Sequence, residues 1–253
     1  MTVVALTALG VGGATIIGAA LGFLFTKIPH KWNDSVMGFA AGVMLAAAVM
    51  GLILPAADIT GAKGIWQVIL GIAAGVIFLN FADKLTPHLH HLALPKDATE
   101  EPHKHNGDID KVMLFVMAVA IHNLPEGIAA GVSFGTGNIG DALSVAGGIA
   151  LQNIPEGLIL VSPMLLAGIS KKRTFLIASA TGIVEVVGTF IGYFASTISS
   201  VLLPFLLSFA GGTMLYIVSD EMIPETHSHG YERLATYSLI IGFCVMLLLN
   251  VLL

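Results

Sequence analysis

Apolar residues fall into long, uninterrupted runs, at about residues 3–26, 35–57, 64–82, 111–135, 140–169, 174–198, 201–223 and 234–253. About 20 helical residues cross about 30 Å of hydrocarbon. The pattern therefore predicts an all-α polytopic membrane protein, with eight transmembrane helices forming a single domain over residues 1–253. The runs do not alternate with period two, which excludes an outer-membrane barrel. One long polar stretch interrupts them, from Asp83 to Asp110, carrying His88, His90, His91, His103 and His105. It reads as a His-rich loop within the one domain.

Composition agrees with lipid as the solvent. Hydrophobic residues make up 56% of the chain and charged ones 11%, against about 25% charged in soluble domains. The mean hydropathy is +0.90, and a water-soluble globule is excluded. Twenty-nine glycines suit helices that pack by close backbone approach. The net charge of −5 argues against nucleic acid as a partner. Cys244, the single cysteine, cannot form an intrachain disulfide. Met1 to Phe25 has no basic n-region, so it reads as a span and not as a cleavable signal.

Charge also predicts orientation. With eight spans, Lys27, Lys31, Lys84, Lys96, Lys104, Lys111, Lys171, Lys172, Arg173 and Arg233 fall in or beside odd-numbered loops, and only Lys63 falls on the other face. This bias places the odd loops, including the His-rich one, in the cytoplasm and both termini outside the inner (plasma) membrane.

The chain also echoes itself. Span four carries His122-Asn123-Leu124-Pro125-Glu126-Gly127, and span five carries Gln152-Asn153-Ile154-Pro155-Glu156-Gly157. Span two (Ala41-Gly42-Val43-Met44-Leu45, then Pro55) matches span seven (Gly211-Gly212-Thr213-Met214-Leu215, then Pro224), and span one matches span six more faintly through Thr15 to Gly22 and Glu185 to Gly192. The matched spans run in opposite directions. The expected architecture is an inverted 3+2+3 repeat, which in secondary transporters puts the substrate at the repeat interface near mid-membrane.

Chemistry concentrates at that depth. Glu126, Glu156 and Glu185 lie near the middle of spans, where an ionised side chain costs about 2.5–3.5 kcal/mol. No Lys or Arg shares their depth, so protons or a bound cation must compensate them. His122 and Glu126 are four residues apart, on one helical face, and Asn123, Gln152 and Asn153 add amide oxygens. Pro125 and Pro155 remove amide donors, so carbonyls near Ile121 and Leu151 are candidates to turn inward. One imidazole, three carboxylates and amide oxygens suit Zn²⁺, Fe²⁺, Mn²⁺ or Cd²⁺. Asp58, Asp220, Glu221 and Glu225 lie at span ends, where solvated caps are common.

The paired motifs make the chain resemble the bacterial branch of the ZIP family of divalent-metal transporters over essentially its whole length. The resemblance implies a binuclear metal centre between spans four and five. His122, Glu126, Gln152, Glu156 and Met44 would hold one ion. Asn123, Asn153 and Glu185, sharing Glu126 and Glu156, would hold the second. It further implies an exit path through Asp83, His88, His90 and Glu221, an entrance near Asp58, and elevator-like movement of spans one, four, five and six against the rest. Span five begins its motif with Gln152 where many eukaryotic members have histidine.

The expected function is transport of Zn²⁺, with Fe²⁺, Mn²⁺ or Cd²⁺ as further substrates, into the cytoplasm. No enzymatic activity and no prosthetic group are expected. The expected partners are the metal ions and the lipid bilayer, with a homodimer left open. Two rivals remain. An intramembrane metal-dependent hydrolase would use Glu126 or Glu156 as general base, but the chain lacks a His-Glu-x-x-His helix and has one membrane histidine, where catalytic zinc usually takes three protein ligands. A carrier of organic cations would need aromatic residues around the glutamates, and the 8% of residues that are aromatic do not cluster there.

Overall fold

The computed structural model describes residues 1–25, 28–85 and 104–253, with side chains at all of these except Leu85 and residues 104–111. Nine α-helices are described: α1 (Thr2–Gly22), α2 (His30–Ala46), α3 (Leu54–Leu85), α4 (Lys104–Val132), α5 (Ile139–Leu166), α6 (Lys171–Ile198), α7 (Leu203–Ile217), α8 (Ile223–Thr226) and α9 (Glu232–Leu252). There is no strand among the described residues. Two π-helical segments, Ala47–Ile53 and Val218–Met222, join α2 to α3 and α7 to α8. Each is followed within two residues by a proline, Pro55 or Pro224. Wide turns of this kind often mark functional sites.

Seven helical segments are long and apolar enough to cross a membrane: Thr2–Gly22, His30–Lys84, Val112–Thr136, Ile139–Leu166, Lys171–Ile198, Leu203–Thr226 and Glu232–Leu252. The sequence pattern predicts eight. The difference lies in the second segment, which runs for 55 residues. As a straight helix it would measure about 80 Å at 1.5 Å per residue, far more than the hydrocarbon thickness. It is not straight: Gly61 breaks the helical backbone with φ 57° and ψ −170°, a conformation open essentially to glycine alone.

Helix ends also differ from the sequence reading at the polar stretch. Asp83 to Leu85 still belong to α3, and Lys104 to Asp110 already form the start of α4, including the backbone of His105. Polar turns can continue a helix beyond its apolar run because backbone hydrogen bonding, not side-chain hydropathy, sustains it. His88, His90, His91 and His103 lie outside the described residues.

The helices form two groups. In one, α1 packs on α5 and α6, and α4 packs on α6; in the other, α2 packs on α9, and α3 on α7. The main apolar cluster includes Met44, Leu52, Leu79, Ile149, Leu207, Met214 and Met246, whereas Ala19, Val116, Leu160, Val161, Met164 and Ala178 form a smaller one. The outer surface is apolar as well, with Leu6, Leu9, Trp66, Ile77, Ile198 and Val251 exposed, as lipid-facing positions require. On α9 only Ala235, Gly242 and Met246 are buried.

Glycine sets the helix spacing. A β-carbon at Gly18 would collide with the backbone of Ile154 and one at Gly157 with the backbone of Thr15, so α1 and α5 touch main chain to main chain. Gly127 meets Glu185, and Gly188 meets Leu124, in the same way between α4 and α6. Small-residue contacts of this kind bring side chains on neighbouring helices within hydrogen-bond reach. We expect Gly18→Leu to destabilise the protein by about 3 kcal/mol, the upper range for overpacking. Gly10→Ala, where a β-carbon meets nothing within 4 Å, should be neutral. Thermal unfolding of both variants in detergent checks the contrast; equal melting temperatures would refute the close contact.

Candidate metal centre

The close contact of α1, α4, α5 and α6 collects the polar residues of four apolar helices at one place. Glu185 on α6 is fully buried. Its Oε1 accepts hydrogen bonds from Thr15 Oγ1 of α1 at 2.6 Å and from Asn123 Nδ2 of α4 at 2.6 Å. Its Oε2 accepts from Asn153 Nδ2 of α5, which also donates to the Val11 carbonyl at 3.2 Å. Each donor comes from a different helix. The residues expected from sequence around the second ion, Asn123, Asn153 and Glu185, are thus brought together.

The amide nitrogens are spent on Glu185, which leaves the amide oxygens free. Asn123 Oδ1 and Asn153 Oδ1 have no hydrogen-bond partner, nor do the two carboxylate oxygens of Glu126 or the Oε1 and Nε2 of Gln152, although the Gln152 side chain lies beside the Glu126 carboxylate without reaching normal hydrogen-bond geometry. Asn123, Glu126, Gln152 and Asn153 are all fully buried. Of the twelve buried, unpartnered polar side-chain atoms among the described residues, six belong to these four side chains. Each such atom costs about 1–3 kcal/mol, and five of the six are oxygens, the donors a hard or borderline cation takes. Glu126 lies within electrostatic reach of both Glu156 and Glu185. None of the ion pairs among the described residues joins these glutamates to a Lys or Arg.

His122 lies one turn before Glu126 on α4. Its Nε2 lies 2.9 Å from Glu221 Oε1 and 3.4 Å from Asp83 Oδ1. The three ligand atoms of Asp83, His122 and Glu221 lie within 4.8 Å of one another, a set that a single ion can bridge. Glu156 interacts electrostatically with both His122 and Glu221. Carboxylates therefore run from Glu185 through Glu126 and Glu156 to Glu221 and Asp83.

The sequence reading separates Asp83 and Glu221, as exit residues, from His122, as a ligand of the centre. The structure brings the three together, because Asp83 at the end of α3 and Glu221 in the π-helical turn after α7 both reach the imidazole on α4. A π-turn admits an extra residue per turn and so changes the direction of the side chains after it. That effect leaves no mark in apolar periodicity. Thr15 is a further residue that periodicity does not single out as a hydrogen-bond donor; its sequence signals are a hydroxyl within an apolar span and its place opposite Glu185 in the faint match of span one to span six.

Met44 is fully buried in the main apolar cluster on α2. Asp58 is exposed near the Gly61 kink, and Asp220 and Glu225 are exposed near α8. Pro125 and Pro155 sit inside α4 and α5.

A bundle of apolar helices around a carboxylate-rich, cation-poor interior defines a polytopic membrane protein built to accommodate a cation. Comparison with known proteins gives the same class a family. The family model described as ZIP Zinc transporter matches residues 88–250. The chain is 37% identical over 247 residues to the zinc transporter GufA of Myxococcus xanthus, covering 94% of each chain. It is 36% identical over 243 residues to the zinc transporter ZIPB of Bordetella bronchiseptica, covering 94% of this chain and 77% of that one. Human zinc transporter ZIP11 is 31% identical over 320 residues, with 94% of each covered. The chain belongs to the ZIP family. These relatives give no support to the intramembrane hydrolase.

If Thr15 holds Glu185 in place, Thr15→Val should remove a charge-assisted hydrogen bond worth about 1.5–3 kcal/mol and lower the melting temperature. Thr15→Ser should restore it. Matching melting temperatures for the Val and Ser variants would show that the hydroxyl contributes nothing.

Proposed function

We propose that this protein carries divalent metal, Zn²⁺ first, across the inner membrane into the cytoplasm. The observation that carries the reading is the set of unpartnered buried oxygens on Glu126, Gln152, Asn123 and Asn153 beside Glu156, Glu185 and the Asp83–His122–Glu221 cluster. Zinc transport in the relatives named above supports it. Zn²⁺ is substrate here, and the protein uses neither a prosthetic group nor a catalytic step. Fe²⁺, Mn²⁺ and Cd²⁺ share the same donor preferences and are candidate further substrates.

In this reading His122, Glu126, Gln152 and Glu156, with Met44, hold one ion. Asn123, Asn153 and Glu185, sharing Glu126 and Glu156, hold the second. The side chains replace the ion's water with carboxylate, imidazole and amide oxygen, and Asp83 and Glu221 take it onward to His88 and His90. The donor set contains no thiolate, so binding stays weak enough for release. Asp58 stands at the opposite, outer approach.

The architecture proposed is eight spans, the 55-residue segment counting as two that reverse at Gly61, with an inverted 3+2+3 repeat. Its support is a correspondence of neighbours. Exchanging span one with six, two with seven, three with eight and four with five turns the α1–α5 pair into α4–α6, and the α2–α9 pair into α3–α7. The two π-helical segments exchange as well. Both termini then lie outside and the segment 83–110 faces the cytoplasm. Spans one, four, five and six, which pack together, move as one body against the others. A homodimer is a further arrangement open to test.

Uptake into liposomes containing the purified protein, run across a panel of divalent ions, tests transport; an absence of uptake for all of them would overturn it. Glu126→Ala and Glu156→Ala should each abolish high-affinity Zn²⁺ binding, because both bridge the two ions, whereas Glu185→Ala should leave one ion bound. Calorimetry giving equal stoichiometry and affinity in the three variants would reject the binuclear centre. Ligands must be deprotonated to bind metal, so wild-type affinity should fall as pH drops from neutral to mildly acidic, with protons released on binding. Orientation is tested by Thr99→Cys, which an impermeant thiol reagent should fail to label from outside intact cells. Labelling there would reverse the topology.

A further inference from the structure

The Asp83–His122–Glu221 cluster takes its two carboxylates from different helices. Asp83 Oδ2 has no hydrogen-bond partner, and Glu221 is partly exposed on a π-helical turn. The spacing of the two carboxylates therefore depends on how the end of α3 sits against the end of α7. Further from the cluster these helices touch main chain to main chain: a β-carbon at Gly75 would collide with the backbone of Phe209, and one at Gly212 with that of Ile72. Nearer to it, Asn80 Nδ2 of α3 donates to Tyr216 Oη of α7 at 3.0 Å. The Asp220 carboxylate lies beside the same hydroxyl.

We propose that Asn80 and Tyr216 are positioning residues for this cluster: their hydrogen bond fixes the rotation of α3 against the π-helical turn after α7, and with it the spacing of Asp83 and Glu221 about His122. Asn80 and Asp83 are three residues apart, so they share a face of α3. Tyr216 stands just before the π-helical turn at Val218–Met222, which takes up an extra residue. Asp220, four residues on, stays beside the Tyr216 hydroxyl, while Glu221 reaches His122 at 2.9 Å. Backbone contact at the glycines sets the distance between the helices. A hydrogen bond, which weakens steeply off its axis, sets the angle. Neither Asn80 nor a tyrosine hydroxyl is charged, so the bond holds the carboxylates in place without neutralising the charge that an ion needs.

The inference rests on the reading of Asp83, His122 and Glu221 as metal ligands. The bland alternative is an ordinary packing bond between two half-buried side chains, which would stabilise the α3–α7 pair and leave metal binding alone.

Co²⁺ titration of the full chain in detergent separates the two, in the Glu126→Ala background, where the centre is disabled and the cluster is intact. The visible absorption of the bound Co²⁺ should disappear with Asp83→Asn, which assigns it to the cluster. Tyr216→Phe and Asn80→Ala should each shift the band and weaken binding about fivefold, as the loss of one hydrogen bond of ordinary strength does. Combined, they should do no worse than either alone, because both remove the same bond. Unchanged affinity and absorption in Tyr216→Phe, with a lower melting temperature, would leave only a packing bond and overturn the proposal. Additive losses would overturn it too, as would a band that persists in Asp83→Asn or never forms. Tyr216→Phe removes a single oxygen, and decides the matter alone if Asn80→Ala does not fold. A failure of liposome uptake by the wild type would refute the proposed transport yet leave these Co²⁺ affinities unaffected.

Discussion

Everything in the interior of this protein answers to three carboxylates buried with no Lys or Arg paired to them among the described residues. Glu126 and Glu185 are fully buried and Glu156 nearly so, in an environment where a lone charge is costly. The fold relieves Glu185 with three side-chain donors from three helices. Beside Glu126 it places the Gln152 side chain, without a hydrogen bond of normal geometry. One carboxylate is satisfied while its neighbour and two amide oxygens beside it are left unpartnered, a donor set of the kind a borderline cation takes. Asn123 and Asn153 turn their nitrogens toward Glu185 and leave their oxygens unpartnered.

That placement needs helices close enough for short side chains such as Thr15 and Asn153 to reach across. Lipid offers no hydrophobic drive to press helices together, so backbone contact through small residues supplies the packing. Gly18 and Gly157 between α1 and α5, and Gly127 and Gly188 between α4 and α6, bring the polar face of each helix into register. The same glycines flank the functional motifs in the sequence, with Gly127 and Gly157 directly following Glu126 and Glu156. Packing and chemistry are therefore specified by adjacent residues.

The second helix group contributes the mouth. The π-helical turn at Val218–Met222 presents Glu221 to His122, and the end of α3 presents Asp83 to the same imidazole. His122 is thus joined to Asp83 and Glu221, and Glu156 interacts with both His122 and Glu221, so polar side chains continue from Glu156 to the end of α3. The apolar outer surface and the thin burial of α9 complete a molecule whose polarity is turned inward.

The sequence by itself determined the all-helical, membrane-spanning class, because runs of about 20 apolar residues have no other stable outcome in lipid. It also singled out Glu126, Glu156, Glu185, His122 and the amide residues, because an ionisable group within such a run stands out against its surroundings. Tertiary structure alone decided the partnerships. Thr15 donating to Glu185, Asp83 and Glu221 converging on His122, and Asp34 meeting His229 join residues up to 195 positions apart. Periodicity along one helix records which face is apolar. It holds no information about which turn of a distant helix that face will meet, and the π-turns and the break at Gly61 are backbone geometry that hydropathy does not encode.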